Sequence, residues 1–195
     1  MALGEFFYGF VVLMGLVLPP LHAEGVARTI EGVAFAAQHD LDGKALPLHG
    51  VGLRVKRKFG MNFKVYVAGL YTTVAGPNRD ELLNGESVLR LVFLRSLSAS
   101  TLREAWTESY DKSCKAECAA LKSHLQTFNS LMVDVKDKSE ITLMFAGDTV
   151  NVDIQGKSSK HEKIVSGAFR KLLLSLFIGD NPPTEELREG LLGKI

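Results

Sequence analysis

The sequence lacks an excess of charge of either sign: its 195 residues include 23 Lys and Arg and 22 Asp and Glu, for a net charge of +1. A balanced chain gives no general attraction to nucleic acid or to an anionic membrane, so neither is predicted as a general partner. The sequence also lacks G-x-S-x-G, a Walker loop and the H-E-x-x-H and H-x-x-E-H zinc motifs. GVGLRV at 50–55 lacks the third glycine of a dinucleotide fingerprint. No cofactor and no metal site is therefore predicted.

Cysteine is nearly absent. Cys114 and Cys118 lie four residues apart in a stretch with helical character. Such a pair can be joined in an oxidising compartment, but the side-chain directions of a regular helix suit a disulfide poorly unless the helix breaks nearby. Residues 111–113 could provide that break. With only His124 close by, two thiolates do not complete a tetrahedral metal site. The pair is a disulfide candidate, with free buried thiols as the main alternative.

Long apolar runs are missing except near the N-terminus, where Phe6–Leu18 is nearly unbroken. A run of this length is shorter than the roughly 20 residues that span a bilayer, and it suits the hydrophobic region of a signal peptide. The sequence therefore predicts a signal peptide over residues 1–23, cleaved after Ala23, with an uncleaved anchor as the alternative. Residues 24–195 are predicted to form one domain outside the cytoplasm, periplasmic or secreted.

The stretch from Leu48 to Thr73 predicts two antiparallel strands joined at Gly60. Apolar side chains alternate with glycine, arginine and lysine in its first half, whereas both faces of its second half are largely apolar. The latter pattern is typical of a strand covered on both sides. A hairpin centred on Gly60 places Arg54 opposite Tyr66. The same register opposes the like charges of residues 56 and 64, which is mildly unfavourable.

The remaining patterns predict an α+β domain in which a mostly antiparallel sheet is covered by helices. The Thr101–Glu104 pair has capping-box spacing at the start of a helix. Apolar side chains recur at helical spacing in two later stretches. Further strands are predicted at 33–36, 88–97, 141–154 and around 164, and helices at 79–85, from 98, at 118–132, at 166–178 and from 183 to 190 or 193.

Several motifs together resemble one known family. LHGVGLR at 48–54 and FGMNFKVYVAGLY at 59–71 resemble the strand pair that carries the active-site arginine in the chalcone isomerase fold family. The likeness continues through SLSASTLREAW at 96–106 to FRKLLLSLFIGDNPPTEELREGLLG at 169–193. It is nearest to the exported bacterial chalcone isomerase-like proteins, and it implies their open-faced sandwich of sheet and helices for residues after about Gly43.

The resemblance also indicates what chemistry to expect. In the plant isomerases an arginine, two threonines, a tyrosine and an asparagine fix a flavonoid and stabilise a phenolate during ring closure. The comparison places Arg54 at the arginine, Tyr66 at the first threonine, Leu102 at the tyrosine, Ser109 at the asparagine and Leu176 at the late threonine. Losing donors that face developing charge weakens transition-state stabilisation. No catalytic residue is therefore predicted.

The same departures resemble the non-catalytic fatty-acid-binding members of the family. An inward-pointing guanidinium needs an anion; it can bind a carboxylate through two hydrogen bonds, with a tyrosine hydroxyl as a further donor. The predicted function is therefore an exported, non-enzymatic binder of a fatty acid or similar acidic lipid. The predicted ligand-binding residues are Arg54, Tyr66, Leu102, Trp106, Ser109, Leu176 and Phe177.

Three alternatives stay open at this stage. In one, Arg54 is part of a solvated basic strand edge together with residues 56–58. In another, the protein is an isomerase or intramolecular lyase acting on an unknown small molecule, with Arg54 stabilising charge and Tyr66 acting as acid or base. In the third, it is an interaction module whose leucines fill a closed core. The sequence predicts neither the ligand's identity nor the oligomeric state.

Overall fold

The computed structural model describes residues 25–116, 118–155 and 160–195. The predicted signal peptide lies outside these residues. The predicted α+β fold is confirmed: a seven-stranded antiparallel sheet has one face covered by helices, and a separate two-stranded sheet packs on its other face.

The strands of the large sheet lie in the order β3-β4-β5-β6-β7-β8-β9, so every neighbouring pair is consecutive in the chain. The strands are β1 (Val26–Ile30), β2 (Val33–Ala36), β3 (Gln38–Leu41), β4 (Lys44–Lys58), β5 (Met61–Thr72), β6 (Ser87–Phe93), β7 (Glu140–Ala146), β8 (Thr149–Gln155) and β9 (Lys160–Val165). The helices are α1 (Arg79–Asn84), α2 (Ala99–Ser113), α3 (Cys118–Ser130), α4 (Gly167–Ile178) and α5 (Glu185–Leu191).

Strand β5 is the centre of the molecule, and its predicted burial on both faces is confirmed from Val65 to Thr72. Because side chains alternate along a strand, Tyr66 and Ala68 belong to the core under the helices. Val67 and Tyr71 belong to the core under the β1–β2 hairpin. The helix-covered face is the one that holds the candidate site.

The β4–β5 register confirms one predicted pair and corrects the other. Arg54 lies opposite Tyr66, as predicted. The predicted opposition of Lys56 and Lys64 is wrong, because the strands are joined by the two residues Phe59 and Gly60 and are not centred on Gly60, which sets Lys56 opposite Phe63. Lys64 instead donates a 2.8 Å hydrogen bond to Glu31. A β-bulge next to Val65 then shifts the pairing by one residue, which sets Arg54 opposite Tyr66 and not opposite Val65.

One helix cap and one strand boundary also differ from the predictions. Helix α2 begins at Ala99, next to its predicted start, but its N-cap is Ser98 and not Thr101, because the Ser98 hydroxyl accepts a 3.2 Å hydrogen bond from the Thr101 amide. The strand predicted to run to residue 97 ends at Phe93, and Leu97 forms an isolated bridge with Val135 instead. Because the segment between Phe93 and Ala99 is not part of β6, its side chains can line the candidate site.

The last helix contacts the sheet at backbone distance. A Cβ atom at Gly52 would overlap the Leu187 carbonyl, and one at Gly190 would overlap the backbone of Val51 and Gly52. Glycine at these positions lets α5 lie directly on β4. Because α5 is held on β4, the segment between α4 and α5, which includes Pro183, lies near Arg54.

Helices α2 and α3 meet at the two cysteines. Helix α2 ends at Ser113, so the regular helix is broken at Cys114, just after the segment predicted to provide a break. Cys114 and Cys118 are joined in a disulfide, with Cα atoms 5.5 Å apart. Of the alternatives for this pair, the structure therefore has the disulfide and not free thiols. Within the described residues, no helix has both the length and the apolar character needed to cross a bilayer.

Candidate ligand-binding cavity

A cavity of about 340 Å³ lies between the β4–β5 strand pair and helices α2 and α4. It is also lined by the segment that follows β6 and by Pro183 from the segment before α5. Its volume lies within the roughly 300–1,000 Å³ typical of small-molecule sites. The cavity is therefore large enough to be considered a ligand site.

All seven residues that the sequence predicted as ligand-binding line this one cavity. The strands contribute Arg54 and Tyr66, helix α2 contributes Leu102, Trp106 and Ser109, and helix α4 contributes Leu176 and Phe177. The structure thus brings together side chains from four elements that are up to 123 positions apart in the sequence. That they bind a ligand stays a prediction.

The inner wall is apolar and aromatic. Trp106, the chain's only tryptophan, meets Phe128 edge to face at 4.8 Å between ring centroids and Phe177 at 5.6 Å. Leu102 and Leu176 are buried beside these rings. Edge-to-face aromatic contacts hold side chains in defined positions, so this wall is a preformed surface for an apolar group.

The outer end is basic. The Arg54 guanidinium lies over the Tyr66 ring, 5.6 Å from its centroid. Among the described residues, no carboxylate forms an ion pair with Arg54. Glu108 on α2 is close enough for the charge of Arg54 to contribute to lowering its pKa. Its carboxylate, however, accepts a 2.6 Å hydrogen bond from Lys112. That bond and the charge of Lys112 are the main reasons why the pKa of Glu108 is lowered. The chain therefore leaves Arg54 available for an external anion.

Tyr66 supplies a neutral hydroxyl next to Arg54 at the basic end of the cavity. Burial raises the pKa of the Tyr66 phenol, while the charge and hydrogen bonding of Arg54 act in the opposite direction. The ring is fixed by an edge-to-face contact with Phe93 at 5.8 Å. At neutral pH the phenol is protonated, so it can donate a hydrogen bond to an acceptor beside Arg54. Within the described residues, no three His, Cys, Asp or Glu side chains form a group suited to a metal ion.

The comparison with known proteins decides the family. The family model described as chalcone isomerase-like matches residues 27–193. The chain belongs to the chalcone isomerase-like family. Among solved structures, it is similar to a fatty-acid binding protein of Arabidopsis thaliana, with a TM-score of 0.68 and 25% sequence identity over 83% of this chain and 92% of that one. No curated protein sequence matches the chain.

This chalcone isomerase-like chain also has cavity residues that the sequence analysis missed. Lys56 and Lys58 line the mouth, and Arg95 lies with its guanidinium 5.0 Å from the centre of the Phe63 ring. Lys56 and Lys58 follow Arg54 at intervals of two, so strand alternation was a signal that could have placed all three on one face. Arg95 lies beyond the end of β6 but continues the alternation of Leu91 and Phe93, so the same signal applied to it. The other lining residues that were missed are Phe63, Val65, Leu91, Phe93, Ser96, Leu97, Thr101, Ala105 and Pro183.

Proposed function

We propose that this member of the chalcone isomerase-like family is an exported, non-catalytic binder of a fatty acid or similar acidic lipid. The observation that carries the proposal is the position of Arg54. Its guanidinium stands at the basic end of a largely apolar cavity and forms no ion pair with any described carboxylate. A ligand with an acidic head and an apolar tail matches both ends of that cavity.

The head group would be held by Arg54 and Tyr66. A guanidinium binds a carboxylate through two parallel hydrogen bonds, and the Tyr66 phenol adds a donor from the opposing strand. The tail would lie against Leu102, Trp106 and Leu176. Those side chains gain from contact with hydrocarbon because it removes apolar surface from water.

Two observations favour binding over catalysis. The positions that correspond to the tyrosine and the late threonine of the plant isomerases are the buried leucines Leu102 and Leu176, which cannot donate a hydrogen bond to developing charge. The structurally similar Arabidopsis protein is a fatty-acid binding protein. The cavity itself favours a ligand-binding protein over an interaction module with a filled core.

The test is lipid analysis of the protein purified from an exporting host, beside Arg54→Ala and Arg57→Ala. Arg57 is the matched control, because it is an exposed arginine on the same strand and does not line the cavity. We expect a stoichiometric acidic lipid in the wild type and in Arg57→Ala, and its loss from Arg54→Ala. Equal lipid in both variants, or an empty wild type that takes up no added fatty acid, contradicts the proposal.

A titration gives an independent readout. Trp106 is the only tryptophan and lines the cavity, so its emission reports directly on a ligand placed against the inner wall. Added fatty acid should change that emission in the delipidated wild type. The Arg54→Ala protein should need a higher fatty-acid concentration, while its unfolding transition remains cooperative.

A further inference from the structure

The β4–β5 hairpin extends beyond the sheet as a two-stranded ribbon. Strand β5 pairs with β6 only from Tyr66 onward, and β4 pairs with β3 only as far as Pro47. Among the described residues, the strand partners of residues 55–64, here called the basic ribbon, are therefore only one another. An isolated two-stranded ribbon is marginal in water unless something else supports it. Its tip is a protruding part of the fold, not a part of the core.

The tip carries an apolar side chain where turn chemistry favours a polar one. Phe59 and Gly60 form the two-residue turn between Lys58 and Met61, with φ of 52° and 72°. Positive φ at both central residues defines the type I′ turn, which favours Asn-Gly or Asp-Gly. A bulky residue at positive φ is strained.

Two other two-residue turns among the described residues have the same pair of positive φ values. They are Asp42-Gly43, which follows the usual preference, and Glu31-Gly32, whose first residue is also acidic. Phe59 is the apolar exception, and its side chain is 85% exposed, with Met61 beside it at 55%. The Lys58 ammonium lies 5.1 Å from the centre of the Phe59 ring, a contact that is only weakly favourable at an exposed site. Backbone geometry does not account for an aromatic ring at this position. Contact with an apolar phase outside the chain does.

The charge of the basic ribbon identifies that phase. Four of the chain's 23 Lys and Arg residues, and none of its 22 Asp and Glu residues, lie in these ten positions. Lys64 is paired with Glu31 at 2.8 Å. Lys56, Arg57 and Lys58 are exposed and have no ion-pair partner among the described carboxylates. The near-neutral net charge of the whole chain hides this local concentration of positive charge.

We propose that the basic ribbon docks the protein on an anionic lipid bilayer. Phe59 and Met61 would enter the headgroup region, and Lys56, Arg57 and Lys58 would contact anionic lipids. Exposed aromatic side chains flanked by basic residues are what an interfacial segment needs. The ribbon is continuous with the cavity, since Lys56 and Lys58 also line its mouth. Docking would bring that mouth to the surface from which an acidic lipid could enter.

Flotation with vesicles tests this directly. The probes are vesicles containing phosphatidylglycerol and vesicles of phosphatidylcholine alone, each mixed with the full chain. We expect binding to the anionic vesicles only, weakening as salt is raised because the charges are exposed. Lys56→Gln with Lys58→Gln should weaken binding by about thirtyfold, from the contribution of each basic residue near an anionic surface.

The decisive variant is Phe59→Asn. It should weaken vesicle binding by about tenfold or more, because the aromatic ring can no longer be buried in the bilayer. It should also keep or raise the melting temperature, because asparagine suits a type I′ turn. Loss of binding with unchanged or higher stability cannot come from unfolding. Val165→Ser is the matched control, since Val165 is 63% exposed on β9, away from the ribbon, and it should bind vesicles as the wild type does.

Several outcomes overturn the docking proposal. These are equal binding to both vesicle types, no effect of Phe59→Asn, or an equal effect of Val165→Ser. Self-association without vesicles that Phe59→Asn abolishes would assign the tip to a second copy of the chain instead.

The docking proposal goes beyond the proposed function, and the two can fail separately. Arg54→Ala should lose the fatty acid and keep vesicle binding. Phe59→Asn should do the reverse, because Phe59 does not line the cavity.

Discussion

Two arginines lie between the sheet and the helices, and their surroundings differ. Arg170 on α4 is 2% exposed and donates to the carbonyl oxygens of Leu83, at 2.7 Å, and Gly85. Those oxygens lie at the C-terminal end of α1. The last carbonyl oxygens of a helix have no intrahelical donor, so they accept hydrogen bonds from a cationic side chain. Arg54 is half-buried, lies over the Tyr66 ring and has no such carbonyl contact among the described residues.

The two arginines differ in whether the protein supplies hydrogen-bond partners for the guanidinium. Burial lowers the pKa of Arg170, partly offset by the charges of Asp148 and Glu86. The protein compensates this burial with two backbone acceptors and the Phe145 ring, whose centroid is 5.9 Å away. At Arg54 it provides a cavity in place of acceptors. A structural arginine is enclosed by its partners, whereas one without partners beside a cavity indicates a ligand.

The largest effect is expected from Arg170→Met. It leaves the half-buried carbonyl oxygens of Leu83 and Gly85 without their donor, and a group left unpaired in the interior costs about 1–3 kcal/mol. We expect a loss of about 3 kcal/mol in the free energy of unfolding, measured in urea. Lys171→Met is the control, because the neighbouring Lys171 is exposed on the same helix. Equal losses in the two variants would mean that the carbonyl contacts contribute nothing.

Arg54→Met should show the opposite pattern. Its stability should stay within about 0.5 kcal/mol of the wild type, as for a residue without a structural partner. Its affinity for fatty acid should fall about tenfold to a hundredfold, because a hydrogen bond to a charged group contributes about 1.5–3 kcal/mol. Unfolding in urea and the Trp106 titration measure the two quantities. A large loss of stability with unchanged affinity would place Arg54 in the same class as Arg170.

A smaller effect is expected from Tyr66→Phe. The variant keeps the ring that contacts Phe93 and removes only the hydroxyl, so affinity should fall about threefold to tenfold, as for one neutral hydrogen bond. Tyr110→Phe is the control: the Tyr110 hydroxyl donates to the Cys118 carbonyl and does not line the cavity. It should change stability and leave affinity as it was. Unchanged affinity in Tyr66→Phe would remove the phenol from the proposed head-group site.

Much of the fold was predictable because its strands and helices have strong periods. The buried stripe of α4 followed from apolar spacing of three and four. The Arg54–Tyr66 pair was predicted from a hairpin centred on Gly60, and it forms because the bulge beside Val65 offsets the actual turn by one residue. The predicted cavity residues Leu102 and Leu176 came from the family resemblance and not from any pattern, since leucines at helical spacing fill a core just as well. Only the structure shows that a cavity lies beside them.

What could not be predicted depends on contacts between distant parts of the chain. Strand β3 reads QHDL, too short and polar to signal a strand, and forms by pairing with β4. The bulge beside Val65 has no glycine to mark it. Arg170 is one basic residue on an apolar helix, and its acceptors lie 85 and 87 positions away. Local patterns carry no information about such partners.

The smallest effect concerns alkaline pH, where only one of the two arginine regions can titrate. The acceptors of Arg170 are carbonyls, which do not ionise. Beside Arg54 stands the Tyr66 phenol, whose pKa burial raises, partly offset by Arg54. The folded protein thus retains a proton that the unfolded chain releases near pH 10. Stability from this group is fully present below pH 10 and is lost as pH rises toward the folded pKa.

The two proteins to compare are therefore the wild type and Tyr66→Phe, unfolded in urea between pH 8 and 11. Above pH 10 the free energy of unfolding should fall more steeply in the wild type, because only the wild type contains the buried phenol of Tyr66. Fatty-acid affinity should fall in the same range, since a phenolate would pair with Arg54 and compete with the ligand's carboxylate. In Tyr66→Phe that competition is absent and the affinity should stay level. Parallel curves for both proteins would show that the phenol and Arg54 are not coupled, and that Arg54 alone holds the head group.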